Sequence, residues 1–363
     1  MSHDFQPLRI TAVRRETADA LSLALAVPAH LTASYAYKPG QHLVLRTALG
    51  GEEVRRTYSI CSGPGDDHLW ITIKRVEGGL FSPYAHTALK VGDSVEAMPP
   101  AGRFVLPPST GAPRHLVAIA AGSGITPVMA MARHALETEP DTRFTLIYGN
   151  RALDSIIFRE ALEDLKDRFM QRLMLVHVLS RDADADVPEL TGRIDAAKIE
   201  RFMHTLIEPG EVDHFFLCGP DTLIKDARAK LTQLGVPRER IHFEFFRAGP
   251  EGSEPRRPAL PRSAVVGSSA EGADVTVIVD GARHSFKLPE GAHVVDAALA
   301  AGIRVPYSCK GGMCCTCRAR LVEGKAEMSR NFSLEPWEVE AGFILTCQAQ
   351  ARSDRLVLDY DQV

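Results

Sequence analysis

Four cysteines stand at Cys309-x4-Cys314-x2-Cys317 and then at Cys347. Thiolates are soft ligands for iron, and four of them can hold two irons with two sulfurs on each. A C-x4-C-x2-C run completed by a distant cysteine is the spacing of a [2Fe–2S] cluster. The short spacing wraps one loop around the cluster, and Cys347 closes the cage from another element. Gly311 and Gly312 provide backbone that can approach the inorganic sulfides, so that amide N–H groups donate to them. Zinc is the competing reading, but structural zinc favours C-x2-C pairs joined by a second pair or by histidines. Cys315 sits beside Cys314, and adjacent residues cannot easily point at one iron. It reads as a small, soft non-ligand open to oxidation.

Two glycine turns are suited to anions. Gly78-Gly79-Leu80-Phe81-Ser82 opens a short helix, and glycines before a helix N-terminus leave N–H groups free for a pyrophosphate. Gly122-Ser123-Gly124-Ile125-Thr126-Pro127 follows an apolar strand. It lacks the third glycine of the dinucleotide fingerprint. Its two glycines still permit a tight turn, Thr126 can cap the helix, and Pro127 suits the first turn. The positive helix end then faces a pyrophosphate. An ordinary strand-to-helix turn is the bland alternative.

The elements that must carry these residues fall into three groups. Residues 1–108 read as strands (Leu21–Val27, His42–Arg46, Arg56–Cys61, Leu69–Val76, Ser94–Met98) with turn signals such as Pro39-Gly40 and Gly50-Gly51 between them. One helix, Ser82–Leu89, interrupts them, and an antiparallel β-barrel or sandwich follows. Over 109–247, apolar strands (His115–Ala120, Arg143–Tyr148, Leu173–Leu179, His214–Leu217, Ile241–Phe246) alternate with helical patterns (Pro127–Glu137, Phe158–Arg168, Thr222–Leu234). That rhythm is an α/β parallel sheet wrapped by helices. Residues 248–272, rich in Pro, Gly and Ser, read as a linker. A smaller α+β module, expected as a β-grasp, occupies 273–363, with strands Val275–Val279 and His284–Leu288 and helix Val294–Ala300. There is no internal repeat.

The totals agree with a multidomain globular protein. A chain of 363 residues with 45% hydrophobic and 24% charged residues has room for two or three cores. The net charge of −4 offers no footprint for nucleic acid. Residues 271–363 hold 10 Lys+Arg against 13 Asp+Glu, a weak acidic bias that suits either a basic partner or a solvated surface. The N-terminal residues lack the layout of a signal peptide, and no apolar run approaches the ~18 residues of a membrane span. Seven cysteines, four of them crowded together, argue for metal binding in a reducing cytoplasm and against a disulfide framework.

On these residues the chain resembles the ferredoxin–NADP reductase superfamily, with a plant-type [2Fe–2S] ferredoxin domain fused behind it. Arg56-Thr57-Tyr58-Ser59 is similar to its R-x-Y-S flavin motif, Gly122–Pro127 to its G-x-G-x-T-P turn, and Cys218-Gly219-Pro220 to its C-G-P motif. The resemblance implies FAD, although some relatives with this module order bind FMN. Arg56 would neutralise the pyrophosphate, Tyr58 stack on the isoalloxazine, Ser59 reach flavin N5, and Gly79 and Ser82 meet the pyrophosphate. In a strand, Arg56 and Tyr58 share a face and Ser59 points opposite, so these roles require a twist or a strand end. Gly122, Gly124, Thr126 and Pro127 would hold the nicotinamide coenzyme. Arg181, after Ser180, would pair with a 2′-phosphate, favouring NADPH over NADH, with Arg151 assisting. Cys218, Gly219 and Pro220 would lie beside the nicotinamide, so that Ser59 and Cys218 are the side chains nearest the reacting atoms. The Cys218 thiol fits there as a packing group, not a nucleophile. His242, Glu244 and Phe246 would end a strand near the flavin.

Within the superfamily, Ser308–Gln348, including Lys310-Gly311-Gly312 and Asn331-Phe332-Ser333-Leu334-Glu335, is similar to the reductase components of phenylacetyl-CoA epoxidases. That likeness implies electron delivery to separate di-iron oxygenase subunits of a multicomponent complex. The module order states the chemistry: a hydride carries two electrons, a [2Fe–2S] cluster takes one, and a flavin between them converts one into the other. No di-iron or Rieske centre is expected in this chain, so another protein uses the electrons. A reductase for a different aromatic-ring or alkane hydroxylase, or a redox-sensing protein without turnover, remains open.

Overall fold

The computed structural model describes residues 4–181, 187–246 and 272–362. All but the last residue of the expected linker 248–272 therefore lies outside the described residues.

The first module is a six-stranded antiparallel sheet of β1 (Gln6–Thr17), β2 (Ala20–Ala26), β3 (His42–Leu49), β4 (Glu52–Ser59), β5 (Leu69–Lys74) and β6 (Ser94–Ala97), in the order β4-β3-β6-β1-β2-β5. Its edges meet through a bridge between Ile60 and Ile71 and a 2.8 Å bond from Cys61 N to the Trp70 carbonyl, which rolls the sheet into a barrel. Leu8, Ile10, Leu23, Leu43 and Ile71 fill it. Helix α1 (Phe81–Thr87) is its only α-helix. The expectations omitted β1. Only Leu8 and Ile10 of that strand are buried, and its second half is Arg14, Arg15 and Glu16, so the alternation fades into charge. Pairing on both sides, with β2 and β6, makes it a strand.

The second module is parallel throughout: β7 (His115–Ala121), α2 (Ile125–Thr138), β8 (Arg143–Asn150), α3 (Arg159–Arg168), β9 (Leu173–Leu179), α4 (Ala196–Thr205), β10 (His214–Gly219), α5 (Asp221–Gln233) and β11 (Ile241–Phe245), with strand order β11-β10-β7-β8-β9. Helix α4 was not foreseen. Asp195 caps it, its side chain accepting from Lys198 N at 2.9 Å, and Ile199, Phe202 and Met203 form the buried stripe. The chain runs outward from β7 to β9 and then returns to the other side of β7. The crevice where that order reverses, between the C-terminal ends of β7 and β10, is where α/β sheets bind ligands.

These two modules share one core. Cys61, Phe104 and Leu106 of the first pack with Met129, Met131 and Phe216 of the second. At Gly40 (φ +101°) a Cβ would stand 2.3 Å from Met131 Cε. Arg133 adds a bidentate pair with Asp66 at 2.8 and 3.1 Å.

The third module is a mixed sheet with helices: β12 (Ala273–Val279), β13 (Ala282–Leu288), α6 (Val294–Ala300), β14 (Arg318–Glu323), β15 (Ala326–Met328), α7 (Pro336–Glu340), β16 (Phe343–Leu345), β17 (Ala349–Ala351) and β18 (Arg355–Asp359). The order is β13-β12-β18-β14-β16, with β12 and β18 parallel and the other neighbours antiparallel, the β-grasp arrangement. Strands β15 and β17 pair separately. Val277, Val295, Ala298, Leu345 and Leu358 give this module a core of its own.

Candidate redox site

The cluster loop bridges α6 and β14, and its thiols come as two pairs. Cys309 Sγ accepts from the Cys314 thiol and from backbone N–H groups of Gly311 (3.3 Å), Met313 and Cys314, which bring the Cys309 thiol down to about 5. Cys314 is pushed up by the same bond and by burial. Cys317 is held up by its bond with Cys347 and by burial. Among the described residues no three His, Cys, Asp or Glu side chains converge on a point for one ion. Cys317 also feels the Cys314 and Cys309 thiols, so the two pairs lie side by side, an arrangement that suits two irons with two thiolates each. The N–H groups around Cys309 are the donors such a cluster needs. Gln348 Nε2 donates to the Lys310 carbonyl at 2.7 Å, and Thr346 Oγ1 to the Cys317 carbonyl at 2.8 Å, tying the loop to the segment that carries Cys347. Cys315 lies in the left-handed region (φ +56°) and faces Arg103 and Ser333; burial pushes its thiol up to about 11.

Alternation along β4 puts Arg56 and Tyr58 on one face and Thr57 and Ser59 on the other. The required strand end is there: β4 stops at Ser59. The Tyr58 ring lies 5.5 Å from Phe81, which brings the R-x-Y-S strand against the α1 turn. Arg56 is half-buried, with one Nη donating to the Arg55 carbonyl at 2.7 Å. Gly79 is crowded, since a Cβ there would stand 3.0 Å from Ser82 Oγ. Ser82 is buried and accepts from Val76 N–H at 3.0 Å, keeping its own proton to donate.

Across the crevice, Gly122 takes φ +54° and leads into α2. Gly124 is needed for space: a Cβ would fall 2.1 Å from the Cys218 carbonyl oxygen and 2.9 Å from Gly219 N. The two turns at the ends of β7 and β10 thus touch backbone to backbone. Thr126 does not cap the helix; it sits within the first turn, and its hydroxyl donates to the Ser123 carbonyl at 3.0 Å. The cap position belongs to Gly124, which has no side chain, so the first-turn N–H groups of α2 gain no side-chain cap. Pro127 is buried in that turn. Pro220 precedes α5, and Phe246 N donates to the Gly219 carbonyl at 3.1 Å.

Ser59 Oγ donates to Glu244 Oε2 at 3.5 Å, which joins the two modules at the crevice. Cys218 is fully buried, and burial, reinforced by Glu244, raises its thiol well above the usual range, so it stays protonated. His42 escaped the sequence reading. It is 1% exposed, 3.5 Å from Glu244 Oε1, and pressed by Gly102, where a Cβ would come within 2.8 Å of Nδ1. A histidine heading an apolar Leu-Val-Leu run was the available signal. Lys74 was also missed; its Nζ stands 3.7 Å from where a Gly122 Cβ would be.

Arg181 is exposed just past β9, and its N–H bonds the Arg151 carbonyl at 2.8 Å, so both arginines sit at one edge of the sheet's C-terminal end. Two E-x-x-H stretches, Glu211–His214 and Glu239–His242, lead into strands and not onto facing helices. Their histidines bond each other at 3.0 Å.

The chain matches three family patterns in order: "Oxidoreductase FAD-binding domain" over residues 7–106, "Oxidoreductase NAD-binding domain" over 118–229, and "2Fe-2S iron-sulfur cluster binding domain" over 277–352. It is 41% identical to one of the subunits of 1,2-phenylacetyl-CoA epoxidase from Escherichia coli K12, covering 98% of both chains. It is 35% identical to the ferredoxin reductase component of 3-ketosteroid-9-alpha-monooxygenase from Rhodococcus rhodochrous, covering 97% of this chain and 96% of that one. Among solved structures, phthalate dioxygenase reductase superposes with a TM-score of 0.59 at 24% identity, covering 98% of each, and so shares the fold. The chain belongs to the ferredoxin reductase superfamily, as an oxidoreductase with FAD-, NAD- and [2Fe–2S]-binding modules in that order.

Proposed function

We propose that this protein is an NADPH-dependent reductase that hands single electrons to a separate di-iron oxygenase acting on phenylacetyl-CoA. The observation that carries the electron route is the outward face of β4: Ser59 meets Glu244 of the nicotinamide module, and Thr57 meets Ser308 of the cluster module at 2.8 Å. One strand therefore touches both the electron donor's module and the electron acceptor's. The oxygenase assignment rests on the 41% identity to a component of an epoxidase.

The bound flavin would supply the step from two electrons to one. The chain's part is positioning. Tyr58 offers a ring face, Arg56 a positive charge, and Gly79 with Ser82 hydrogen-bond donors for a pyrophosphate. Gly122, Gly124, Thr126 and Pro127 shape the coenzyme turn, and Arg181 with Arg151 reads a 2′-phosphate. Ser59 turns its hydroxyl toward Glu244 at the crevice, while Cys218, Gly219, Pro220 and Phe246 shape its wall. Cys309, Cys314, Cys317 and Cys347 hold the cluster. Modules at 1–108, 109–247 and 273–363, with 248–272 as linker, are the units that carry these tasks. No helix among the described residues is long and apolar enough to cross a membrane. Seven free cysteines fit a reducing cytoplasm.

The test is reconstitution. Mixed with phenylacetyl-CoA oxygenase subunits, the protein should support NADPH- and oxygen-dependent epoxidation, and turnover should fall as salt shortens screening to about 8 Å and below. The 35% identity to a 3-ketosteroid monooxygenase component favours a second reading, another oxygenase partner. Coupling to that oxygenase and not to the epoxidase would select it.

A further inference from the structure

Asn331-Phe332-Ser333-Leu334-Glu335 and the first turn of α7 carry no cluster ligand, yet they press the third module against both others. Phe332 meets Phe245 of the nicotinamide module edge-on at 6.4 Å and packs on that module's core. Glu335 Oε1 accepts from Arg228 at 2.6 Å, and Arg228 in turn lies 3.8 Å over the Phe243 ring. Arg103 of the flavin module donates to the Ser333 carbonyl and pairs with Glu338. We propose that residues 331–338 are a docking clasp, received by Arg103 and Arg228, that seats the [2Fe–2S] module reversibly on the other two. This rests on the electron-transfer reading and adds the surface through which the flavin-to-cluster step is made and released.

Three observations carry it. The flavin and nicotinamide modules share an apolar core, whereas the cluster module closes its own core and meets them through ion pairs, hydrogen bonds, the Phe332–Phe245 contact and an arginine over the Tyr307 ring. Interfaces of that polar kind separate far more readily than shared cores. Second, Glu338 is 0% exposed but keeps an arginine of its own module, Arg318, at 3.2 Å. Undocking therefore leaves the carboxylate paired and wetted, and avoids the large cost of an orphaned buried charge. Third, Ser308 at the head of the loop is buried against Thr57 of β4, while Cys309 and Cys314 stay half-buried, so docking turns the loop toward that strand and leaves its other side within reach of solvent.

Charge reversal tests this on the full holoprotein, with small-angle X-ray scattering as a readout independent of turnover. R228E should enlarge the radius of gyration and slow NADPH-driven cytochrome c reduction roughly tenfold, since a repelling pair replaces an attracting one. Ferricyanide reduction, which draws on the flavin alone, should keep its rate. The swap R228E/E335R should restore both compactness and cytochrome c reduction, which a merely misfolded R228E could not do. R103E should behave as R228E does. Unchanged scattering in R103E/R228E, or an expanded molecule with an undiminished cytochrome c rate, would overturn the clasp. If the unaltered protein reduces no cytochrome c while R228E still expands it, the electron-transfer reading fails and the clasp stands.

Discussion

The Thr57 hydroxyl donates to Ser308 Oγ across 2.8 Å. Thr57 precedes Tyr58 on β4, and Ser308 precedes Cys309, so one hydrogen bond joins the neighbours of two residues proposed to hold cofactors. Arg55 reinforces the seam, its guanidinium 3.9 Å over the Tyr307 ring, and Tyr307 OH donates to Glu53 at 3.1 Å. Residues 53, 55 and 57 alternate onto one face of β4 and together form the seat of the cluster module.

Thr57→Val keeps the shape of that seat and removes the donor. A hydrogen bond of about 0.5–1.5 kcal/mol corresponds to roughly 2- to 12-fold in the docked population. Cluster reduction after mixing with NADPH, followed by stopped-flow absorbance, should slow by that factor while flavin reduction does not. An unchanged cluster rate would remove this bond from the electron route.

Pairing of the thiols sets a second expectation. Cys309→Ser or Cys347→Ser breaks one pair each and should abolish the cluster's visible absorption, leaving the flavin spectrum. Cys315→Ser should leave two irons and two labile sulfides per chain, because Cys315 faces Arg103 and Ser333. Loss of iron in the Cys315 variant, or zinc in anaerobically prepared protein, would refute the assignment.

Much of this was readable in the residues because the chemistry is compressed into short stretches. Three of the four cysteines, the β4 motif and the two glycine turns each lie within a short stretch, and local pattern suffices to pick them out. Strand β1 was lost because its buried side is two residues long, and α4 because its stripe is only Ile199, Phe202 and Met203. His42 and Lys74 were lost for another reason. Each acquires meaning only when a second module closes over it, through Glu244 in one case and Gly122 in the other. The clasp is the same: Phe332 and Glu335 look like surface loop until Phe245 and Arg228 are set opposite them.

His242 sets a pH dependence. Burial first, then the neighbouring His214, lowers it to about 4, and its ring stacks on Phe216 at 5.2 Å. Above pH ~6.5 it is neutral both folded and unfolded and contributes nothing. Between ~6.5 and about 4 the unfolded chain binds a proton that the folded chain refuses, so stability falls as pH falls. The loss should be on the order of 1–2 kcal/mol after allowance for solvent screening. His242→Phe, which can keep the stack on Phe216, should flatten that part of the thermal-unfolding profile; an unaltered slope would assign it to other groups.

Arg181 is the residue proposed to set coenzyme choice. It is exposed at the C-terminal end of β9, and its backbone bond to the Arg151 carbonyl sets two guanidinium-bearing residues side by side at one edge of the sheet's C-terminal end. A 2′-phosphate placed there gains a charge-assisted contact of about 1.5–3 kcal/mol. A bare ribose hydroxyl gains far less. Arg181→Ala should therefore lower kcat/KM for NADPH by roughly 10- to 150-fold and leave NADH nearly unchanged. Because the side chain would meet the adenosine end and not the nicotinamide, the loss should appear in KM more than in kcat. Arg181→Lys should recover part of it, since a point charge replaces the fork. Arg151→Ala should give a smaller loss in the same direction if the two share the phosphate. Equal losses for both coenzymes would assign Arg181 to holding the β8–β9 edge, and an NADH preference in the unaltered protein would exclude a phosphate site at this edge.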